Sequence, residues 1–318
     1  MGMLSRTAGS LYWISRYMER AELTSRLLEV GYRIALMPNT TTGYQSEWSS
    51  ILSAAGEEAG YTSKYGKPQQ KDIEQYLFHD LDNPFSVAAC IHRARDNGRA
   101  VRTALTTQVW DVINSGYQEV QSLARKKYKP SNLPMLCDWT TCQANLLRGA
   151  IESTQLEDEG YDFLNLGYFL ERAGNTARLL DVKYYVLLPT VSSVGGDVDH
   201  YQWTTLLRAM SAYRAFRWAY GGTQTPNKVA HFLILNASCP RSLLHCLIKA
   251  DHHLNRLSSF LGKETPAQNK VAELREGLVC RDIDNIFEEG LHEFLTRFIF
   301  DISSASNAMT ESFFQGGL

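Results

Sequence analysis

Leu11–Val30 reads LYWISRYMERAELTSRLLEV, and Phe163–Val182 reads FLNLGYFLERAGNTARLLDV. At a constant offset of 152 residues they share Glu, Arg, Ala, Thr, Arg, Leu, Leu and Val. The likeness extends outward. Gln45–Leu52 (QSEWSSIL) echoes His200–Leu207 (HYQWTTLL), and Asn83–Val87 (NPFSV) echoes Cys239–Leu243 (CPRSL). Three matched blocks in the same order indicate two structural copies in one chain. Within each leading block, Leu11, Ile14, Met18, Ala21, Ser25 and Leu28, and likewise Phe163, Leu166, Leu170, Ala173, Ala177 and Leu180, recur in alternating steps of three and four. That spacing is the buried stripe of a long amphipathic helix. Ser5 or Thr7 is the candidate cap of the first helix, and Asp158 or Asp162 of the second. Each helix is expected to end at a proline, Pro38 or Pro189, with a polar, glycine-bearing loop behind it.

Helical patterning continues through each copy. Further helices are predicted from about Trp48 and Trp203, over Lys71–His79 and Asn227–Asn236, and from Pro84 and Pro240, where proline suits a first turn. Gln108–Lys127, Pro134–Glu152 and one long stretch over Asp282–Asn307 complete the set. No alternating strand pattern and no Asn-Gly hairpin stands out. The expected fold is therefore an all-α helical bundle of two duplicated halves, residues 1–130 and 131–318, either as two units or as one continuous domain.

Bulk properties narrow the class. The chain of 318 residues is 44% hydrophobic and 21% charged, with a net charge of -2. That is a globular composition without the field expected of a nucleic-acid or anionic-membrane binder. No apolar run reaches the roughly 18 residues of a membrane span, and MGMLSRTAGS has no apolar signal core, so a cytoplasmic protein is expected. The 6 cysteines include no Cys-x-x-Cys pair, which favours buried reduced thiols over zinc. His252 and His253 are adjacent and cannot chelate one ion from a helix face. There is no phosphate-binding loop, nucleophile elbow or His-Glu-x-x-His. No metal and no cofactor is expected.

Charged residues offer two candidate sites. One step round from the apolar stripe lie Ser15, Glu19, Glu22 and Arg26, matched by Gly167, Glu171, Gly174 and Arg178, with Arg20 and Arg172 a step further. Glu19/Arg20 and Glu171/Arg172 suit a reciprocal ion network where the two copies meet. They also suit a polar pocket for an anionic or amide-bearing group. The helix after Pro84 carries a basic face of Arg93, Arg95, Arg99 and Arg102, with Asn97 among them. A phosphate site and a solvated basic face are the two accounts of it.

Three segments carry a resemblance: LSRTAGSLYWISRYMERAELTSRLLEV at Leu4–Val30, DLDNPFSVAACIHRARDNGRAVRTAL at Asp80–Leu105, and LLRGAIESTQLEDEGYDFLNLGYFLERAGNTARLLDVKYY at Leu146–Tyr185. Across nearly its whole length the chain resembles the bacterial alpha-E family, helical proteins named for a Glu-Arg motif. Matching residues include Arg16, Tyr17, Glu19, Arg20, Glu22, Arg26, Asn83, Pro84, Arg93, Arg95, Asn97, Glu159, Gly160, Glu171, Arg172, Asn175, Arg178, Asp181 and Lys183. Tyr168, Gly174 and Gly98 depart from the family's usual residues. The resemblance implies a setting: such proteins stand beside, or are fused to, an ATP-grasp-like carboxylate–amine ligase, with transglutaminase-like peptidases nearby. It implies an accessory subunit in the synthesis or modification of small peptides or amides. One rival is an enzyme in its own right, with Glu19 or Glu171 as general base and Arg20, Arg26 or Arg178 stabilising an anion. The other is a purely structural adaptor that oligomerises its partners.

Overall fold

The computed structural model describes residues 3–36, 44–125, 130–186 and 197–314. Among them are fifteen α-helices and no strand. In chain order they are α1 (Ser5–Ala35), α2 (Tyr44–Ala55), α3 (Glu58–Tyr65), α4 (Gln70–Phe78), α5 (Val87–Ala100), α6 (Thr107–Arg125), α7 (Leu133–Thr154), α8 (Glu159–Val186), α9 (Asp197–Ala209), α10 (Tyr213–Tyr220), α11 (Pro226–Ile234), α12 (Leu243–Leu261), α13 (Pro266–Val279), α14 (Ile283–Glu289) and α15 (Leu291–Met309). A π-helical turn, Thr310–Phe314, ends the described chain. The expected stops at Pro38 and Pro189 lie outside the described residues.

Helices α1 and α8 form the spine and pack most extensively on each other. Around them, α5, α7 and α2 cover α1, while α12, α15 and α2 cover α8. The spine is wrapped on nearly all sides. That is why its polar stripe is buried outright rather than lying at a core edge: Glu19, Glu22 and Arg26 are each 3% exposed or less. Such a helix must bring its own counter-charges, because each ion it takes out of water costs several kcal/mol unless paired.

The spine helices approach closely at one glycine. A Cβ on Gly167 would lie 2.1 Å from the backbone oxygen of Tyr12, so only glycine permits this crossing. Apolar contacts fill the rest. Leu11, Ile14, Leu27 and Leu28 of α1 and Leu164, Leu166 and Leu180 of α8 are fully buried, in a cluster that runs from Ala8 to Phe313.

Helix ends differ from expectation in instructive ways. Leu4 is the N-cap of α1 and makes no side-chain cap; Ser5 and Thr7 fall inside the helix. The entry is held instead by the Met3 backbone N–H, which donates to Glu159 Oε2 at 2.7 Å. Asp158 does cap α8, accepting from the Gly160 and Tyr161 amides at 2.9 and 3.2 Å. Asp162 is fully buried and faces α12. Pro84 and Pro240 precede their helices; the caps are Ser86 and Ser242, whose hydroxyls accept from Ala89 and His245 amides. The long C-terminal helix is broken at Gly290, whose φ of 100° ends α14 and starts α15. Of the cysteines, Cys142 and Cys280 are exposed and the other four buried, so the expectation of buried thiols holds for four positions only.

Candidate functional site

The crossing of α1 and α8 sets the two Glu-Arg pairs face to face. Arg172 donates to Glu19 through Nε at 3.1 Å and Nη2 at 2.6 Å. Arg20 donates to Glu171 through Nε at 2.8 Å and Nη2 at 3.2 Å. Each helix thus supplies the acid for the other's base, in the two-pronged geometry that suits guanidinium and carboxylate. Asn175 adds a third tie, donating to the backbone oxygen of Glu19 at 2.9 Å.

Beyond this reciprocity the two clusters diverge. Around Glu19, a second carboxylate joins. Glu22 Oε1 accepts from Arg26 Nε and Nη2 at 3.0 and 2.5 Å and from Arg241 Nη2 at 2.5 Å, and Glu22 lies 3.5 Å from Arg172. Arg26 also donates to the Ala209 backbone oxygen and, at 3.3 Å, to Ser211. Tyr168 lies over Arg172, 4.0 Å from ring centre to guanidinium carbon, and sandwiches it against the pair. The crevice beside Glu19 holds about 10 Å³, too little for a ligand.

Around Glu171 the packing is open. Arg16 Nε donates to Glu171 at 2.7 Å, so this carboxylate carries two arginines. The position matching Glu22 is Gly174, and the position matching Arg241 is Phe85. Without those side chains a cavity of about 250 Å³ remains, walled by α1, α8, α15 and Phe85. Arg16, Arg20, Arg178 and Glu171 are its charged lining, and Thr24 and Ser306 contribute hydroxyls. Arg178 is partly buried and, among the described residues, has no hydrogen-bond or ion-pair partner.

The electrostatics follow the geometry. Burial pushes the Glu171 carboxyl upward, but Arg16 and Arg20 outweigh it and bring it down to about 2. Burial acts likewise on Glu22, and Arg241, Arg26 and Arg172 hold it well below the carboxylate range. Glu19 is raised, by burial first and by the adjacent Glu22, with Arg172 opposing. Burial lowers Arg178, with Glu171 opposing and Arg20 and Arg16 adding to the fall.

The basic residues of α5 do not join either cluster. Arg93 donates to the Pro84 backbone oxygen at 3.2 Å, and Asn97 donates back to the Arg93 oxygen at 2.8 Å. Arg95 lies over the Tyr117 ring of α6 at 4.6 Å. They serve α5 and its packing, not the cavity. Two features escaped the sequence. Arg241 enters the Glu19 cluster from the turn before α12, signalled only by Arg for Phe in the matched CPRSL and NPFSV blocks. The fully buried Asp162 accepts from Arg256 Nε at 2.9 Å and pairs with His253 Nδ1 at 2.8 Å.

A second cavity, about 310 Å³, lies between α8, α9 and α15 against Trp203, Leu180 and Leu291. Four of its charged groups pair, His292 with Asp181 at 2.6 Å and Lys183 with Asp199, and Glu293 also lines it. Among the described residues no group of three or more His, Cys, Asp or Glu is placed to hold a metal, and no helix is long and apolar enough to cross a membrane.

The chain is similar to Uncharacterized protein Mb2597 of Mycobacterium bovis and Uncharacterized protein Rv2567 of Mycobacterium tuberculosis. Each is 24% identical over 322 aligned residues, covering 94% of this chain and 35% of the relative. The chain thus spans about a third of the length of these relatives. No solved structure matches it significantly. The Alpha-E family profile, described as a predicted alpha-helical domain with a conserved ER motif, matches residues 3–314. With its Glu-Arg pairs interlocked at the spine and the match running nearly end to end, the chain belongs to the Alpha-E family.

Proposed function

We propose that this protein is a non-catalytic accessory subunit of an ATP-grasp-like carboxylate–amine ligase system, and that its cavity holds an acidic group of the small peptide or amide being handled. The observation that carries the reading is the cavity beside Glu171, where three guanidinium groups face one carboxylate. Arginines in a partly dehydrated cleft are suited to carboxylate and phosphate, the groups such a ligase activates and transfers. A volume of about 250 Å³ falls near the ~300 Å³ lower end for ligand pockets and matches one or two amino-acid units.

Chemistry on the substrate is left to the partner. Glu171 is fully engaged by Arg16 and Arg20 and is held at about 2, far from the neutral value a general base needs. Glu19 has no substrate-sized space beside it. Those two facts weigh against catalysis in its own right, and the cavity weighs against a purely structural adaptor. The relatives support a cooperative role, since there the matching region is part of a chain about three times as long. A transglutaminase-like peptidase is the second expected partner. Work beside an ATP-using enzyme implies the cytoplasm.

The same reading takes the chain as two duplicated halves sharing one core. The offsets support it: Ser86 and Ser242, 156 residues apart, cap α5 and α12, and the Glu-Arg pairs 152 apart meet at the spine. The test is turnover of the co-purifying ATP-grasp-like ligase with and without this chain. A rate or product that depends on the chain supports the proposal; the same rate and product without it contradict it.

A further inference from the structure

The two clusters of the spine differ by one acid. Around Glu19, Arg26, Arg172 and Arg241 face two carboxylates, Glu19 and Glu22, leaving a local charge of +1 by three minus two. Around the cavity, Arg16, Arg20 and Arg178 face Glu171 alone, leaving +2 by three minus one. The missing acid is locatable. Glu22 pairs with Arg26 four residues on, and Gly174 stands four residues before Arg178 in the matched block. A Cβ built on Gly174 would point at Arg178, 3.1 Å from Nη1.

We propose that the cavity binds a small carboxylate ligand, and that the ligand's acid group takes the place at Arg178 that Glu22 holds at Arg26. The assignment rests on the accessory reading above and names the chemical class that reading leaves open. One carboxylate restores the charge balance of the other cluster. The walls suit a short aliphatic body: Leu23, Leu27, Leu170, Ile302 and Phe85 line the cavity beside the arginines. Phe85 already covers Arg20, 4.9 Å from ring centre to guanidinium carbon, so an entering chain meets an apolar lid with the charged groups behind it. Gly174 is then a residue that makes room, and the absence here of the acid that the matched block carries at Glu22 is what opens the site.

The test is calorimetric titration of the full chain at fixed ionic strength, with glutarate and with inorganic phosphate as probes. Wild type is expected to bind glutarate saturably at one site. Gly174→Glu, which supplies the acid from within the helix, is expected to weaken glutarate at least tenfold and to melt higher than Gly174→Ala in the absence of ligand. Gly174→Ala, which adds only a methyl group against the end of Arg178 and Ile302, separates bulk from charge and is expected to weaken glutarate less than Gly174→Glu does. Arg178→Gln gives an independent arm should Gly174→Glu misfold: it retains a cooperative melt and loses at least tenfold in affinity. No saturable glutarate binding by wild type, phosphate binding without glutarate binding, or undiminished binding by either Gly174→Glu or Arg178→Gln overturns the proposal. Its failure is separable from that of the accessory role. A ligase rate that needs this chain, with a chain that binds no carboxylate, leaves the partnership standing and removes the ligand. Glutarate binding with an indifferent ligase does the reverse.

Discussion

Glu171 concentrates the physics of the spine in one side chain. It is 5% exposed, a setting that by itself would keep a carboxyl neutral, yet Arg16 and Arg20 hold it ionised down to about pH 2. A carboxyl depressed in the folded state contributes stability above its unfolded value and loses it as pH falls through the folded one. For Glu171 that window runs from about 4.5 to about 2. The linked stability is on the order of 3 kcal/mol. Acid unfolding of wild type followed by circular dichroism should therefore steepen in that window, and Glu171→Gln should lack that component. At neutral pH the same substitution leaves two partly buried guanidinium groups without their acid and should cost about 2–4 kcal/mol in denaturant unfolding. The Glu-Arg dipeptides themselves were plain in the sequence, because they repeat at a fixed offset. Which acid would be depressed was not, because it depends on Arg16 and Arg241, one an α1 neighbour and the other 219 residues from its partner Glu22.

At the scale of elements, the α1–α8 crossing depends on Gly167. The backbone oxygen it faces cannot rotate away as a side chain would, so Gly167→Ala must push the helices apart. The gain in helix propensity, about 1 kcal/mol, is smaller than the expected loss, and thermal unfolding should show net destabilisation of about 1–3 kcal/mol. Ser86→Ala and Ser242→Ala each remove one cap and should each cost about 1 kcal/mol, additively, since they stand on different helices. Long helices were legible from their three-four stripes. Their starts were read less well: proline drew the boundary to Pro84 and Pro240, whereas the serines two residues on make the caps. Short α3 carries few apolar residues and left no stripe to read, while α10 repeats Ala215, Phe216, Ala219 and Tyr220 over only 8 residues. Helix α13 was missed from the sequence, although Thr265 and Pro266 supply a cap and a first-turn proline of the kind that recurs at Thr225 and Pro226.

Across the whole molecule, one wrapped spine carries two acid–base clusters that are alike in their reciprocal core and unlike in their surroundings. The all-helical class followed from periodicity alone. The cavity did not, since it arises from two absences, Gly174 for an acid and Phe85 for an arginine, and an absence has no motif. Arg93, Arg95 and Asn97 matched the family pattern equally well but face the Pro84 turn and Tyr17, the Tyr117 ring of α6, and α5's own backbone, a distinction that only packing draws. The central claim is that the Glu-Arg pairs lock α1 to α8 while Arg178 is left open for a ligand. Melting Arg172→Gln and Arg178→Gln side by side tests it most directly. Arg172→Gln, which strands Glu19 in the core while Glu22 keeps Arg26 and Arg241, should melt roughly 5–10 °C below wild type. Arg178→Gln, which loses no partner, should melt within about 2 °C of wild type or above it. Equal losses in the two variants, or an Arg172→Gln variant as stable as wild type, would contradict the account.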